Sequence, residues 1–156
     1  MIELFSIFSC SERGYDAFVN GLVSKVTLMP NTPTTSPSIA IVDDDPSVLK
    51  ALARLLRTRS FVAKAYLSGP QFLASLPEGL PNCLVADLQM PEMTGLELQQ
   101  NLIGRGIQIP TIIITAHDEP GMHDRCKSVG AIAYLSKPVQ DTSLFAAITA
   151  ALKFNR

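Results

Sequence analysis

The chain has 156 residues, 47% of them hydrophobic, enough for one packed core with some length to spare. Thirteen basic and fourteen acidic side chains leave a formal net charge of -1. A general nucleic-acid binder usually shows a basic excess, so no direct nucleic-acid binding is expected. No stretch is long and apolar enough to span a membrane, and the apolar start carries Glu3 where a secretory signal carries Lys or Arg. A cytoplasmic protein with no membrane partner is expected.

Residues 1–28 are only patchily apolar, and residues 29–38 are rich in Pro, Ser and Thr. Such a stretch buries too little apolar surface to offset the entropy of ordering it, so residues 1–37 read as a flexible extension and linker, and 38–156 as the folded domain. Met29 directly precedes the linker and is a candidate natural start; the rival is a docking or anchoring segment.

From residue 38 the pattern is regular. Residues 39–42 form a continuous apolar run, as in a strand buried on both faces. Pro46 opens a helix, with Val48, Leu49, Leu52, Leu55 and Leu56 on one stripe and Arg54, Arg57 and Arg59 off it. Residues 61–67 read as a second strand. Ser68-Gly69-Pro70 leads into a short helix carrying Phe72, Leu73 and Leu76, broken by Pro77 to Pro81. Residues 83–86 are a third buried strand, ending at Asp87. Its Cys83, like Cys10 and Cys126, fits no zinc or CxxC spacing and reads as a reduced thiol. A loop with Met90-Pro91 precedes a helix over about 95–103, ended by Gly104 and Gly106. Residues 111–115 are the fourth strand. A helix from Pro120 to about Val129 is closed by Gly130. Residues 133–135 are a short fifth strand, and Asp141 is the expected N-cap of a last helix. Five strands alternating with five helices imply an α/β, doubly wound parallel sheet covered on both faces.

Ligands of such a sheet bind at the carboxyl ends of its strands. There stand Asp43-Asp44-Asp45, Asp87, Thr115 and Lys137. Gathered carboxylates repel and need a cation; oxygen ligands suit a hard one, best Mg2+, or Mn2+, shared with phosphate. A lysine and a hydroxyl beside it suit a phosphoryl group, and a carboxylate can be the nucleophile that accepts one. Taken singly, each residue has a plainer reading: Asp45 before Pro46 as a helix cap, Asp87 as a turn residue, Thr115 as an ordinary strand end, Lys137 as a solvated charge. Four strand ends with compatible chemistry make the joint reading stronger.

Residues 38–154 resemble the receiver domains of two-component response regulators, in a flavour similar to the nitrogen-fixation regulators. The residues that carry this are Ile41-Val42-Asp43-Asp44-Asp45-Pro46, Leu84-Val85-Ala86-Asp87-Leu88-Gln89-Met90-Pro91 with Met93-Thr94-Gly95, Ile113-Ile114-Thr115-Ala116, and Gly130-Ala131 with Lys137-Pro138. The resemblance implies a flavodoxin-like sheet of order 2-1-3-4-5. It makes Asp87 the phosphoacceptor for a sensor histidine kinase or phosphotransfer protein. Asp44 would bind the metal directly, Asp43 partly through water, and Gln89 through its backbone carbonyl. Thr115, the N–H of Ala116 and Lys137 would bind the phosphoryl group, and the Lys137-Pro138 peptide would be cis. Thr115 and Tyr134 would form the switch, with a half-buried aromatic as the plainer reading of Tyr134. Gln89 and His117 fall where the family tunes phosphate lifetime, and His123 is expected on an exposed helix face rather than on a metal.

With no residues after the last helix for an effector, the resemblance implies a stand-alone receiver that signals to a downstream protein, with a phosphorylation-dependent homodimer as one form. It would catalyse only its own phosphorylation and dephosphorylation, and so is not an enzyme in the usual sense. The alternatives are a receiver-like interaction module without phosphorylation, a receiver fragment of a longer DNA-binding regulator, and a phosphate-ester hydrolase. The last needs an acid two residues after Asp87, where Gln89 stands.

Overall fold

Residues 35–154 are described by a computed structural model. In chain order they form β1 (Ser38–Val42), α1 (Pro46–Thr58), β2 (Val62–Tyr66), α2 (Gly69–Ser75) continued by a 3-10 turn (Leu76–Glu78), and β3 (Cys83–Asp87). There follow α3 (Gly95–Gly104), β4 (Thr111–Thr115), α4 (Met122–Ser128), β5 (Ala133–Ser136) and α5 (Asp141–Phe154). The strands pair in the order β2-β1-β3-β4-β5, every pair parallel, which is the winding expected from the sequence. The extension up to residue 34, with Cys10 and Met29, lies outside the described residues.

The period of two along each strand divides the core. Ile39, Ile41, Cys83, Val85, Ile112 and Ile114 face α1 and α5, where they meet Leu49, Leu52, Leu56, Leu144 and Ile148. Ala40, Val42, Leu84, Ala86 and Ile113 face the other way, onto Phe72 and Leu73 of α2, Leu98 and Leu102 of α3 and Cys126 of α4. β3 and β4 are buried along their whole length, as both-face burial requires of uninterrupted apolar runs. Each fully buried Leu or Ile stabilises the fold by about 1.5–3 kcal/mol, so this double core is the main favourable contribution. Burial also pushes the Cys83 thiol up to about 12, which keeps it a neutral core group.

The element ends depart from the sequence reading in instructive places. The helix expected from Pro120 begins at Met122 instead. Gly121 takes φ 81 and ψ -6, and the Met122 N–H donates to the Glu119 carbonyl at 3.0 Å. Pro followed by left-handed Gly is a type II turn, so a turn precedes the helix. Gly104 is the last helical residue of α3 rather than its stop. The stop is Gly106, at φ 72, and the Ile107 N–H returns to the Leu102 carbonyl at 2.9 Å. Asp141 lies inside the first turn of α5, not ahead of it as a cap, and the Leu144 N–H bonds to the Gln140 carbonyl. The second strand is shorter than expected because Phe61 leaves the ladder to stack on Phe145 of α5, at 6.3 Å between centroids. No helix among the described residues is long and apolar enough to cross a membrane.

Candidate functional site

The parity that divides the core also aims the residues at the strand ends. Asp43 continues the Ile39–Ile41 side, Asp87 the Cys83–Val85 side, and Lys137 the Ala133–Leu135 side, all toward α1 and α5. Thr115 continues the Ile113 side, toward α3 and α4, where Tyr134 also packs. The residues picked from the sequence therefore fall into two groups on opposite sides of one sheet edge.

In the first group the Lys137 Nζ lies 2.8 Å from Asp43 Oδ2 and 3.0 Å from Asp87 Oδ1. Both carboxylates are nearly inaccessible, at 1% and 6% side-chain exposure, while the Lys137 side chain is 22% exposed. Burial pushes the Asp87 carboxyl above its ordinary range. Lys137 pulls it back, and the neighbouring Asp43 and Asp44 push it up again. Burial works against the charge on Lys137, but Asp43 and Asp87 outweigh it and hold the ammonium above its ordinary value. The two shifts differ in character because the lysine faces two carboxylates, whereas Asp87 faces one cation and two other acids. The cluster is short of positive charge.

Asp44 is exposed, next in the chain to buried Asp43. One carboxylate oxygen each from Asp43, Asp44 and Asp87 come within 4.8 Å of one another. Three hard oxygen donors around so small a space fit Mg2+ or Mn2+ better than a soft metal. Gln89 is exposed two residues past Asp87, at the mouth of the same loop. The Lys137-Pro138 peptide is cis.

In the second group Thr115 is fully buried, and its hydroxyl donates to the His117 carbonyl at 2.9 Å and accepts from the His117 N–H at 3.2 Å. Ala116 follows it, exposed. The Thr115 carbonyl accepts the Lys137 N–H at 2.7 Å, so the backbone joins the two groups. The Tyr134 hydroxyl donates to Asp118 Oδ1 at 3.3 Å, and the His123 ring stands edge-on to Tyr134 at 5.9 Å. Burial and the Asp118 charge raise the Tyr134 pKa. His123 is exposed, as the sequence reading had it, and near Asp124 rather than near the acid cluster.

Sequence reasoning gave no role to Gly95, although the structure sets it against the site. A Cβ placed there would come 2.5 Å from the Asp87 carbonyl oxygen. Gly95 is held there by its N–H on the Leu88 carbonyl and by a capping box in which Thr94 and Glu97 bond reciprocally. The Thr-Gly-x-Glu spelling of that box is a signal the sequence did carry. Asp118, the partner of Tyr134, closes a Thr-Ala-His-Asp run that the sequence carried, but that run assigned it no partner.

Comparison with known proteins agrees with this geometry. The family model described as "Response regulator receiver domain" matches residues 39–149. The chain is 40% identical over 114 residues to the Transcriptional regulatory protein FixJ of Rhizobium meliloti (strain 1021), covering 73% of this chain and 56% of that protein. It is 40% identical over 115 residues to the Response regulator protein TmoT of Ectopseudomonas mendocina, covering 74% and 52%. It thus spans about half the length of these curated relatives. The crystal structure of FixJ-N is similar at a TM-score of 0.71 and 38% identity, over 76% of this chain and 94% of that one. Order of strands, family match and these likenesses agree, and the chain belongs to the response-regulator receiver-domain family.

Proposed function

We propose that the domain accepts a phosphoryl group on Asp87 in a metal-assisted reaction and passes the signal on by protein contact. The observation that carries this is the buried Asp87 carboxylate, 3.0 Å from Lys137 Nζ and within 4.8 Å of two further acids. Asp44 and Asp87, with Asp43 and the Gln89 carbonyl in support, would hold Mg2+ or Mn2+. The bound ion supplies the positive charge that the acid cluster lacks and that a transferring phosphoryl group needs. An Asp87 oxygen attacks phosphorus, the acyl phosphate bond forms, and the bond from phosphorus to the donor breaks with its electron pair leaving on the donor. Lys137 neutralises phosphoryl oxygens as a point charge. The Ala116 N–H, just past β4, would donate to them. To reach them too, the Thr115 hydroxyl must give up His117, and that exchange couples Asp87 to the loop after β4 and to Tyr134. The donor is a sensor histidine kinase or phosphotransfer protein, and the receiver of the signal is a downstream protein or a second copy of the chain. The chemistry is confined to the domain's own phosphorylation and dephosphorylation.

A second reading places the domain in a longer regulator. It is favoured by the half-length coverage of relatives, one of them named a transcriptional regulatory protein. Intact mass of the product in its native host decides between the two. The primary reading is tested by incubation with acetyl phosphate and Mg2+. The wild type is expected to acquire an acid-stable, hydroxylamine-labile phosphate, and Asp87→Asn to acquire none. Equal labelling of Asp87→Asn at the same rate would overturn it.

A further inference from the structure

Asp43 is fully buried, and both of its carboxylate oxygens are engaged. Oδ2 accepts from Lys137 Nζ; Oδ1 accepts the backbone N–H of Asp45 at 2.9 Å. Asp45 itself has the extended conformation of a helix N-cap, φ -92 and ψ 111. Two features impose this conformation. Pro46 disfavours helical geometry in the residue before it. The Asp45 carboxylate accepts the Ser47 N–H at 2.8 Å, while its carbonyl takes the first helical bond from Leu49 at 3.1 Å. The Asp45 side chain is thus occupied in capping α1, and it is not one of the three acids that converge on the metal-sized space.

We propose that Asp45 is a positioning residue for Asp43. By capping α1 it fixes the direction of its own N–H, and that N–H sets the aim of the buried acid toward Lys137 and the metal. The cap and the acid cluster are one device: the helix start holds the carboxylate. The metal half of the proposal rests on the metal-assisted reading above; the positioning half does not.

The test compares Asp45→Ala, which removes the cap, with Asp45→Ser and Asp45→Asn, which keep a capping oxygen but remove the charge. Ser68→Ala, which removes the cap of α2 at the Gln71 N–H, is the control for cap loss elsewhere. Mg2+ affinity is read by titration calorimetry, amide exchange at position 45 by NMR, and stability by thermal unfolding. Asp45→Ala is expected to weaken Mg2+ binding roughly tenfold, as loss of a supporting hydrogen bond around a metal ligand does. Its amide 45 exchanges faster than in the wild type. The Ser and Asn variants stay within about twofold of the wild type, since both are good caps. Ser68→Ala lowers stability but leaves Mg2+ affinity and amide 45 unchanged. Adding Pro46→Ala to Asp45→Ala enlarges the defect. A protected amide 45 in both the single and the double variant overturns the proposal. So does Mg2+ binding in Asp45→Ser or Asp45→Asn as weak as in Asp45→Ala, which would assign the effect to charge. If the wild type binds no Mg2+, the metal-assisted reading fails, while amide exchange still decides the positioning role.

Discussion

On the α1–α5 side of the sheet edge, residues 94 positions apart are tied together, Lys137 to Asp43 at 2.8 Å. On the α3–α4 side, Thr115 bonds to a residue two positions on, and Tyr134 reaches a loop aspartate at 3.3 Å. The first side is held by buried charges on separate strands, and such a cluster keeps its geometry as long as the sheet is intact. The second side is held by short-range and weaker bonds in the exposed loop 116–121. A buried ion-pair cluster and a set of loop hydrogen bonds are thus set side by side on one edge. Their separation follows from strand parity, not from any difference in the strands themselves.

The contrast can be broken most severely at Lys137. Lys137→Ala leaves two buried carboxylates facing each other with no cation. Loss of one partner of a buried pair costs several kcal/mol and of an exposed pair little, so with the Lys137 side chain 22% exposed a loss of roughly 2 kcal/mol is expected. Denaturant unfolding in chelator measures it, and added Mg2+ should restore more stability to this variant than to the wild type.

Gly95→Ala attacks the same side through the backbone. Its Cβ must displace the Asp87 carbonyl, at a cost of about 1–3 kcal/mol and with slower labelling by acetyl phosphate. Gly104→Ala, where a Cβ meets nothing within 4 Å, is expected to be neutral or stabilising by up to ~1 kcal/mol.

Asp87 itself gives a pH signature. Its carboxyl is raised in the folded state, so the protonated form is the one folding favours. Its contribution to stability is therefore full below the unfolded carboxylate pKa and is lost as pH rises through the raised folded value. Asp87→Asn should melt higher than the wild type at neutral pH, and the gain should shrink as the pH falls through the carboxylate range. Thermal unfolding across that range, without metal, checks the sign.

The smallest effect is expected on the α3–α4 side. Tyr134→Phe removes the hydroxyl that meets Asp118 and Thr115, at a cost of about 0.5–1 kcal/mol. It should leave the rate of acetyl phosphate labelling unchanged while speeding amide exchange in residues 116–121. Slower labelling with unchanged loop exchange would show that the two sides are not divided as described.

How much of this was legible in the sequence also follows the division. Apolar runs ending in Asp87, Thr115 and the triple aspartate announce buried strands, and their coincidence at four strand ends, rather than any one of them, announces chemistry there. The alternation implied a parallel, doubly wound sheet, and the resemblance implied its 2-1-3-4-5 order. What was missed lies in loops and helix ends. Pro120 reads as a helix start although Pro followed by Gly spells a turn; of the two glycines expected to end α3, Gly106 does so in the left-handed conformation and Gly104 is still helical. The approach of Gly95 to Asp87 and of Tyr134 to Asp118 depends on tertiary packing, which no local pattern encodes.

The most direct test of the central arrangement is a beryllofluoride titration followed by NMR, with and without Mg2+. The account predicts Mg2+-dependent shifts at the amides of residues 87, 115, 116 and 137, spreading to Tyr134, and none in Asp87→Asn. Shifts that are the same without Mg2+, or that persist in Asp87→Asn, would contradict it.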